Sequence, residues 1–155
     1  MNIELHLSRS SGLSPKGIPQ RASFMYWVGA ALHAARRRRF AELSIRLADA
    51  EEGRALNRQY RKRDYATNVL SFPAELPAGV ALPLIGDLVV CVPVVIREAA
   101  EQGKTARDHF AHMTVHGTLH LLGFDHERES DAVQMEALEC KVLASLGVAD
   151  PYRSG

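Results

Sequence analysis

Histidine is concentrated in one short part of the 155-residue chain, which holds five of the seven histidines: His109, His112, His116, His120 and His126. At about 100° per residue, the first four would share one narrow face of a helix. His116 and His120 are one helical turn apart, a spacing that allows two imidazoles to bind one metal ion. Gly123 can then reverse the chain and return His126 as a third ligand. The pattern predicts a three-histidine metal site.

Three imidazole nitrogens with no nearby cysteine are typical of an open, catalytic zinc site, because structural zinc is usually closed by four thiolate-rich ligands. Zinc in such a site lowers the pKa of a water molecule to about 7, which favours hydrolysis near neutral pH. We therefore expect one zinc ion per chain, bound by His116, His120 and His126. Taken singly, His109 and His112 are better explained as hydrogen-bonded core residues.

Gly117 stands where zinc peptidases of the H-E-x-x-H type carry the glutamate that serves as general base. Peptide hydrolysis by that route therefore lacks its base. A glycine inside a helix costs about 1 kcal/mol relative to alanine, so its presence needs a reason. Close approach of a substrate or a strand to the helix explains it, and simple helix packing explains it equally well.

Periodicity predicts the elements that position these histidines. Strands are expected at 1–7, 41–47, 67–72 and 84–92, and helices at about 23–38, 50–60, 93–103, 105–122 and 131–146. Apolar residues surround most of the helix at 105–122, so we expect it to be buried at the centre. The prediction is a single α+β domain over residues 1–155, with a small mixed four-stranded sheet, about five helices and a central histidine-bearing helix.

Three of the predicted helices begin with residues that favour capping. Asp49 precedes Glu52 by three residues, a pattern that resembles a capping box. Thr105 stands in the same relation to Asp108. Ser130 or Asp131 is expected to cap the last helix.

Composition is that of an ordinary globular protein, with 46% hydrophobic and 24% charged residues and a net charge of +1. No stretch approaches the roughly 18 apolar residues that span a membrane, and the first seven residues do not resemble a signal peptide. We therefore expect a soluble, cytoplasmic protein without membrane contact.

Cys91 and Cys140 are too few for a disulfide framework and are expected to be reduced, buried thiols. Basic residues cluster at 36–39 and 54–63, either as solvated helix ends or as contacts to phosphate.

The segment 116–126, His-Gly-Thr-Leu-His-Leu-Leu-Gly-Phe-Asp-His, closely resembles the signature of the YbeY family of bacterial zinc endoribonucleases. Phe124 stands where that family often has tyrosine. The resemblance covers roughly residues 40 to 147 and continues in further blocks in matching order: Leu56-Asn57 with Tyr60-Arg61, the segment 67–73, the segment 86–89 and the segment 102–104. The first forty residues carry little of the pattern.

The resemblance implies hydrolysis of phosphodiester bonds in single-stranded RNA, in the maturation of small-subunit ribosomal RNA and in ribosome quality control. It also implies partners among the small ribosomal subunit and its assembly factors, including a GTPase. Arg61 matches the family's functional arginine and would neutralise the scissile phosphate; otherwise it is a surface cation at a helix end. Asp125 would either orient a ligand imidazole or serve only as a turn residue.

Two other functions remain open at this point. The first is a non-catalytic ribosome-assembly factor in which zinc only stiffens the turn after the histidine helix. The second is a zinc hydrolase acting on a small amide or ester, for which the sequence offers no dedicated pocket motif. The response of the fold to metal removal distinguishes a structural from a catalytic site.

Overall fold

The structure is a computed structural model that describes residues 2–125 and 128–152. Along the chain, its elements are β1 (Ile3–Arg9), α1 (Arg21–Ala34), β2 (Ala41–Ala48), α2 (Ala50–Arg61), β3 (Val69–Pro73), β4 (Leu84–Cys91), α3 (Val92–Glu101), α4 (Ala106–Leu121) and α5 (Glu129–Ser145). The expected α+β composition is confirmed. His126, one of the three predicted ligands, lies outside the described residues.

The four strands form one mixed sheet in the order β1-β2-β4-β3. β1, β2 and β4 are parallel, whereas β3 pairs antiparallel to β4 at the edge. Cross-strand hydrogen bonds join Cys91 to Asn68 and Ala74 to Ile85. In an antiparallel pair the bonded positions alternate, so the backbone groups of Ser71 face the open edge of the sheet.

The helix starts follow the predicted capping pattern in two of three cases. The Asp49 carboxylate accepts a hydrogen bond from the Glu52 amide at 2.8 Å, and the Thr105 hydroxyl accepts one from the Asp108 amide at 3.1 Å. The expectation for α5 was wrong, because that helix begins at Glu129, with Arg128 at the cap position and no side-chain cap. Acidic residues in its first turn complement the helix dipole instead.

The first helix ends earlier than the sequence predicted. α1 stops at Ala34 rather than near residue 38. Arg36 adopts a φ of 61°, in the left-handed region that cannot continue a right-handed helix. The basic residues at 36–39 therefore lie in the connection to β2 rather than on the helix.

α4 is the central helix, as expected, and it packs on β3, β4, α1, α3 and α5. Phe110, Val115 and Leu119 are fully buried in it. A Cβ atom at Gly117 would lie 2.8 Å from Leu88 Cδ2 and 3.3 Å from Val69 Cγ2. Of the explanations for this glycine, close approach of strands to the helix is confirmed.

None of the described helices is long and apolar enough to cross a membrane. Both cysteines are free thiols; Cys91 is buried and Cys140 is half-buried. Burial raises the pKa of both thiols above its ordinary value, and for Cys140 the pKa reaches about 11. Neither thiol is therefore a ready nucleophile near neutral pH.

Candidate metal centre

Four histidines of α4 form a continuous row, here called the histidine face: His109, His112, His116 and His120. Neighbouring ring centroids along the row are separated by 5.9, 6.3 and 6.1 Å. The predicted common face is therefore confirmed. His109 and His112 are buried, while His116 and His120 are half-buried, so the row leads from the core towards the surface.

His109 anchors the buried end of the histidine face. Its Nε2 atom lies 2.9 Å from Glu98 Oε1 on α3, and the Asn68 amide donates to the same oxygen at 3.0 Å. Burial lowers the pKa of His109, and the hydrogen bond with Glu98 only partly offsets this effect. His109 is thus a hydrogen-bonded core residue, as expected, which ties α4 to α3 and to the start of β3.

Glu139 of α5 is a fully buried carboxylate that faces the middle of the histidine face. Its Oε1 accepts a hydrogen bond from Nδ1 of His116, and its Oε2 accepts one from the Tyr152 hydroxyl. The same Oε2 lies 3.3 Å from Nε2 of His112. Burial alone would raise the pKa of Glu139, but the three hydrogen bonds lower it to about 2. Glu139 is therefore an ionised carboxylate at neutral pH.

His112, His116 and Glu139 form a group that could hold a metal ion, because their ligand atoms all lie within 4.8 Å of one another. This group shares only His116 with the ligands predicted from the sequence. Glu139 was missed because it follows His116 by 23 residues, a separation that carries no helical or turn spacing. The sequence pattern places His112 on the common face of the helix, but it does not indicate that a carboxylate lies beside this histidine.

The contacts fit a metal ion in either of two positions. An ion bound directly by Glu139 would replace its hydrogen bonds to the two imidazoles. An ion on the opposite side of His116 would keep these hydrogen bonds. Nδ1 of His116 donates its proton to Glu139, so the lone pair that can bind a metal ion lies on Nε2. Histidine ligands commonly donate their other ring N–H to a carboxylate in this way. The first position offers nitrogen and oxygen donors and the second offers imidazole nitrogen, and both kinds of donor suit zinc.

The turn after α4 has the expected conformation. Gly123 adopts a φ of 102°, and its amide donates to the His120 carbonyl at 3.1 Å. A cleft of about 240 Å³ opens beside this turn and is lined by Leu122, Gly123, Phe124, Asp125, Asp131 and Gln134. A larger cavity of about 460 Å³ lies near the ends of β1 and β2. No residue of the histidine face lines this larger cavity, so it is separate from the candidate metal centre.

Arg61 is the last residue of α2 and is exposed. Its guanidinium donates to the Ser71 carbonyl at 3.0 Å, so the arginine lies along the open edge of β3. Two residues earlier on that strand, Val69 approaches Gly117, the neighbour of His116. By contrast, Arg54 is paired with Asp64 through two hydrogen bonds of 2.8 and 3.0 Å.

The fold and this centre define a small α+β protein in which histidines of the central helix α4 meet a buried carboxylate of α5. The family model Endoribonuclease YbeY matches residues 17–147, and the chain belongs to the YbeY family. It is 56% identical over 154 residues to Endoribonuclease YbeY of Stenotrophomonas maltophilia, a match that covers 97% of this chain and 94% of the relative. The relative of the same name from Xanthomonas axonopodis pv. citri is 55% identical, with the same coverage.

A solved structure also resembles the chain. The solution structure of TM1509 from Thermotoga maritima aligns with a TM-score of 0.55, 21% sequence identity, and coverage of 97% of this chain and 99% of that one. At this level of identity the likeness concerns the fold alone. It supports the arrangement of sheet and helices described above.

Proposed function

We propose that this chain is a zinc-dependent endoribonuclease, one domain over residues 1–155, that cleaves single-stranded RNA. Relatives named Endoribonuclease YbeY match nearly its whole length, and RNA is the substrate of an endoribonuclease. The proposal extends to small-subunit ribosomal RNA as the substrate, and to the small subunit and its assembly factors as partners in the cytoplasm. The observation that carries the metal-dependent part is the contact of buried Glu139 with Nδ1 of His116.

We propose His116, His120 and His126 as the zinc ligands, with Glu139 outside the coordination shell. Among the described residues, only histidines lie within ion-pairing distance of the Glu139 carboxylate. A buried negative charge is costly unless a positive charge compensates it. A divalent cation at Nε2 of His116 would supply that charge and leave the hydrogen bonds of Glu139 intact.

When bound, zinc supplies a Lewis acid and lowers the pKa of water at the site. The protein's part is to hold and orient the reacting groups. In this proposal the three histidines bind the zinc ion, and Glu139 keeps the proton of His116 on Nδ1. Arg61 is proposed to neutralise the scissile phosphate through its paired N–H donors. Its exposed place at the edge of β3 is accessible to an RNA strand.

The test combines zinc analysis with cleavage of a single-stranded RNA. We expect one zinc ion per wild-type chain and zinc-dependent cleavage. His116→Ala should lose both the metal and the activity, whereas His33→Ala, at an exposed histidine of α1, should keep both. Stoichiometric zinc and full cleavage in His116→Ala would contradict the proposal.

A further inference from the structure

The segment that follows α5 reaches back to the metal centre through Tyr152. We propose that Tyr152 and Glu139 are positioning residues that hold His116 in the tautomer and orientation needed to bind zinc through Nε2. The inference rests on the proposed function in one respect, namely that His116 is a ligand. It assigns a role to Tyr152, which lies beyond residue 147, where the family match ends.

The two oxygens of Glu139 have different partners. Oε1 accepts from His116, while Oε2 is held from two sides, by the Tyr152 hydroxyl and by Nε2 of His112. Rotation of the carboxylate would break all of these bonds together. Tyr152 and His112 therefore fix one oxygen so that the other remains directed at His116. A carboxylate held in this way selects the ring tautomer and raises the basicity of the nitrogen that binds the metal.

Tyr152 is itself held in place by contacts besides its hydrogen bond to Glu139. Its amide donates to Asp150 Oδ1 at 2.8 Å, and the thiol of Cys140 on α5 donates to the same oxygen at 3.1 Å. The tyrosine ring meets the His112 ring edge to face, with centroids 5.9 Å apart. Although the residue is 45% exposed, its hydroxyl reaches the fully buried Glu139. The ring therefore closes one side of the carboxylate site.

The test begins with metal-free protein, because the tautomer of His116 can be measured without zinc. Long-range ¹H–¹⁵N correlation of the wild-type imidazole is expected to show the proton on Nδ1. Tyr152→Phe removes only the hydroxyl and should shift the ring towards a mixture of tautomers. Tyr26→Phe, at an exposed tyrosine of α1, should leave the spectrum of His116 unchanged.

The second measurement is zinc affinity by competition with a chelator. Glu139→Gln is expected to keep one zinc per chain but bind it about 10–100-fold more weakly, and Tyr152→Phe about 10-fold more weakly. Glu129→Gln, at an exposed position on the same helix, should bind like the wild type. Unchanged affinity in both Tyr152→Phe and Glu139→Gln would overturn the inference.

Two further outcomes would also overturn it. A wild-type His116 with its proton on Nε2 is incompatible with the role given to Glu139. Loss of zinc stoichiometry in Glu139→Gln, with Tyr152→Phe unaffected, would make the carboxylate a direct ligand.

If Glu139→Gln fails to fold, the tautomer of His116 in the wild type and the zinc affinity of Tyr152→Phe decide the question. If wild-type protein binds no zinc, the proposed function fails, while the tautomer measurement still reports on the hydrogen bond.

Discussion

Arg61 distinguishes an enzyme from a passive RNA-binding protein better than the histidines do, since a ligand variant loses metal and activity together. The side chain is exposed and donates a hydrogen bond to the Ser71 carbonyl. Arg61→Ala should therefore keep its zinc and nearly all of its thermal stability. If the guanidinium stabilises charge that develops on the phosphate, the cleavage rate should fall at least ~10²-fold. Single-turnover cleavage of a single-stranded RNA is the measurement.

Two variants make the Arg61 result specific. Arg61→Lys should recover only part of the rate, because an ammonium group lacks the planar paired donors of a guanidinium. Arg58→Ala, at an exposed position one turn earlier on α2, should mainly weaken the binding of RNA, and this loss should depend on the salt concentration. Equal and small losses in Arg61→Ala and Arg58→Ala would mean that Arg61 belongs to a diffuse cationic surface.

At the scale of elements, the approach of α4 to the sheet depends on Gly117. Any Cβ at this position meets the fully buried Leu88. Gly117→Glu, which rebuilds the peptidase motif, should therefore lose more than about 3 kcal/mol of unfolding free energy through overpacking and an unpaired buried carboxylate. Urea denaturation measures this loss. Zinc-dependent digestion of an unstructured protein by a stable Gly117→Glu variant would contradict the prediction.

Gly117→Ala is the matched control for this packing argument. It adds one methyl group, whose nearest neighbours are the ends of the Leu88 and Val69 side chains. The gain of about 1 kcal/mol in helix propensity opposes the cost of crowding. We therefore expect a much smaller loss than for glutamate, with retention of zinc binding.

The contact between α3 and α4 predicts a pH dependence of stability. Burial lowers the folded-state pKa of His109, whereas in the unfolded chain this histidine takes up a proton near pH 6.5. The unfolded state therefore binds more protons, and the free energy of unfolding falls as the pH drops below about 6.5. His109→Gln keeps a donor for Glu98 but does not titrate, so its stability should depend less on pH.

Urea denaturation between about pH 7 and pH 5 measures this difference. His33→Gln, at an exposed histidine, should retain the wild-type slope. Identical slopes for wild type and His109→Gln would show that His109 does not contribute to acid sensitivity.

At the scale of the whole molecule, the apolar core extends well beyond the metal centre. It joins the sheet to α1, α4 and α5 through fully buried residues such as Phe24, Ile45, Leu88, Phe110 and Leu143. Removal of zinc by a chelator should therefore leave the secondary structure intact while RNA cleavage is lost. Circular dichroism and cleavage assays on the same sample provide the measurement. A chain that unfolds when zinc is removed would instead favour the structural-zinc function.

Zinc should nevertheless stabilise the folded chain. At a free concentration about 100-fold above the Kd, binding contributes about 2.7 kcal/mol. For a protein of this size, that corresponds to a rise in Tm of about 5–10 °C. His120→Ala should show neither the rise nor the bound metal. A full zinc-induced shift in this variant would exclude His120 as a ligand.

Local sequence determined the elements that carry the site. The turn-by-turn spacing of four histidines, the caps at Asp49 and Thr105, and the turn at Gly123 depend on residues within a few positions of one another. Such contacts form inside a single helix or turn, so the sequence pattern is sufficient to predict them. The roles of Arg61 and His126 come from family resemblance and spacing, and they stay predictions.

Only the tertiary structure decided which groups meet the histidines. Glu98, Glu139 and Tyr152 reach the histidine face from α3, α5 and the segment after α5. No periodicity links them to α4, because these contacts depend on how separate helices pack around it. The same is true of Gly117, whose need for space is set by Leu88 on a strand that precedes α4 in the chain. Packing of distant elements, rather than spacing within one, places the carboxylate against His116.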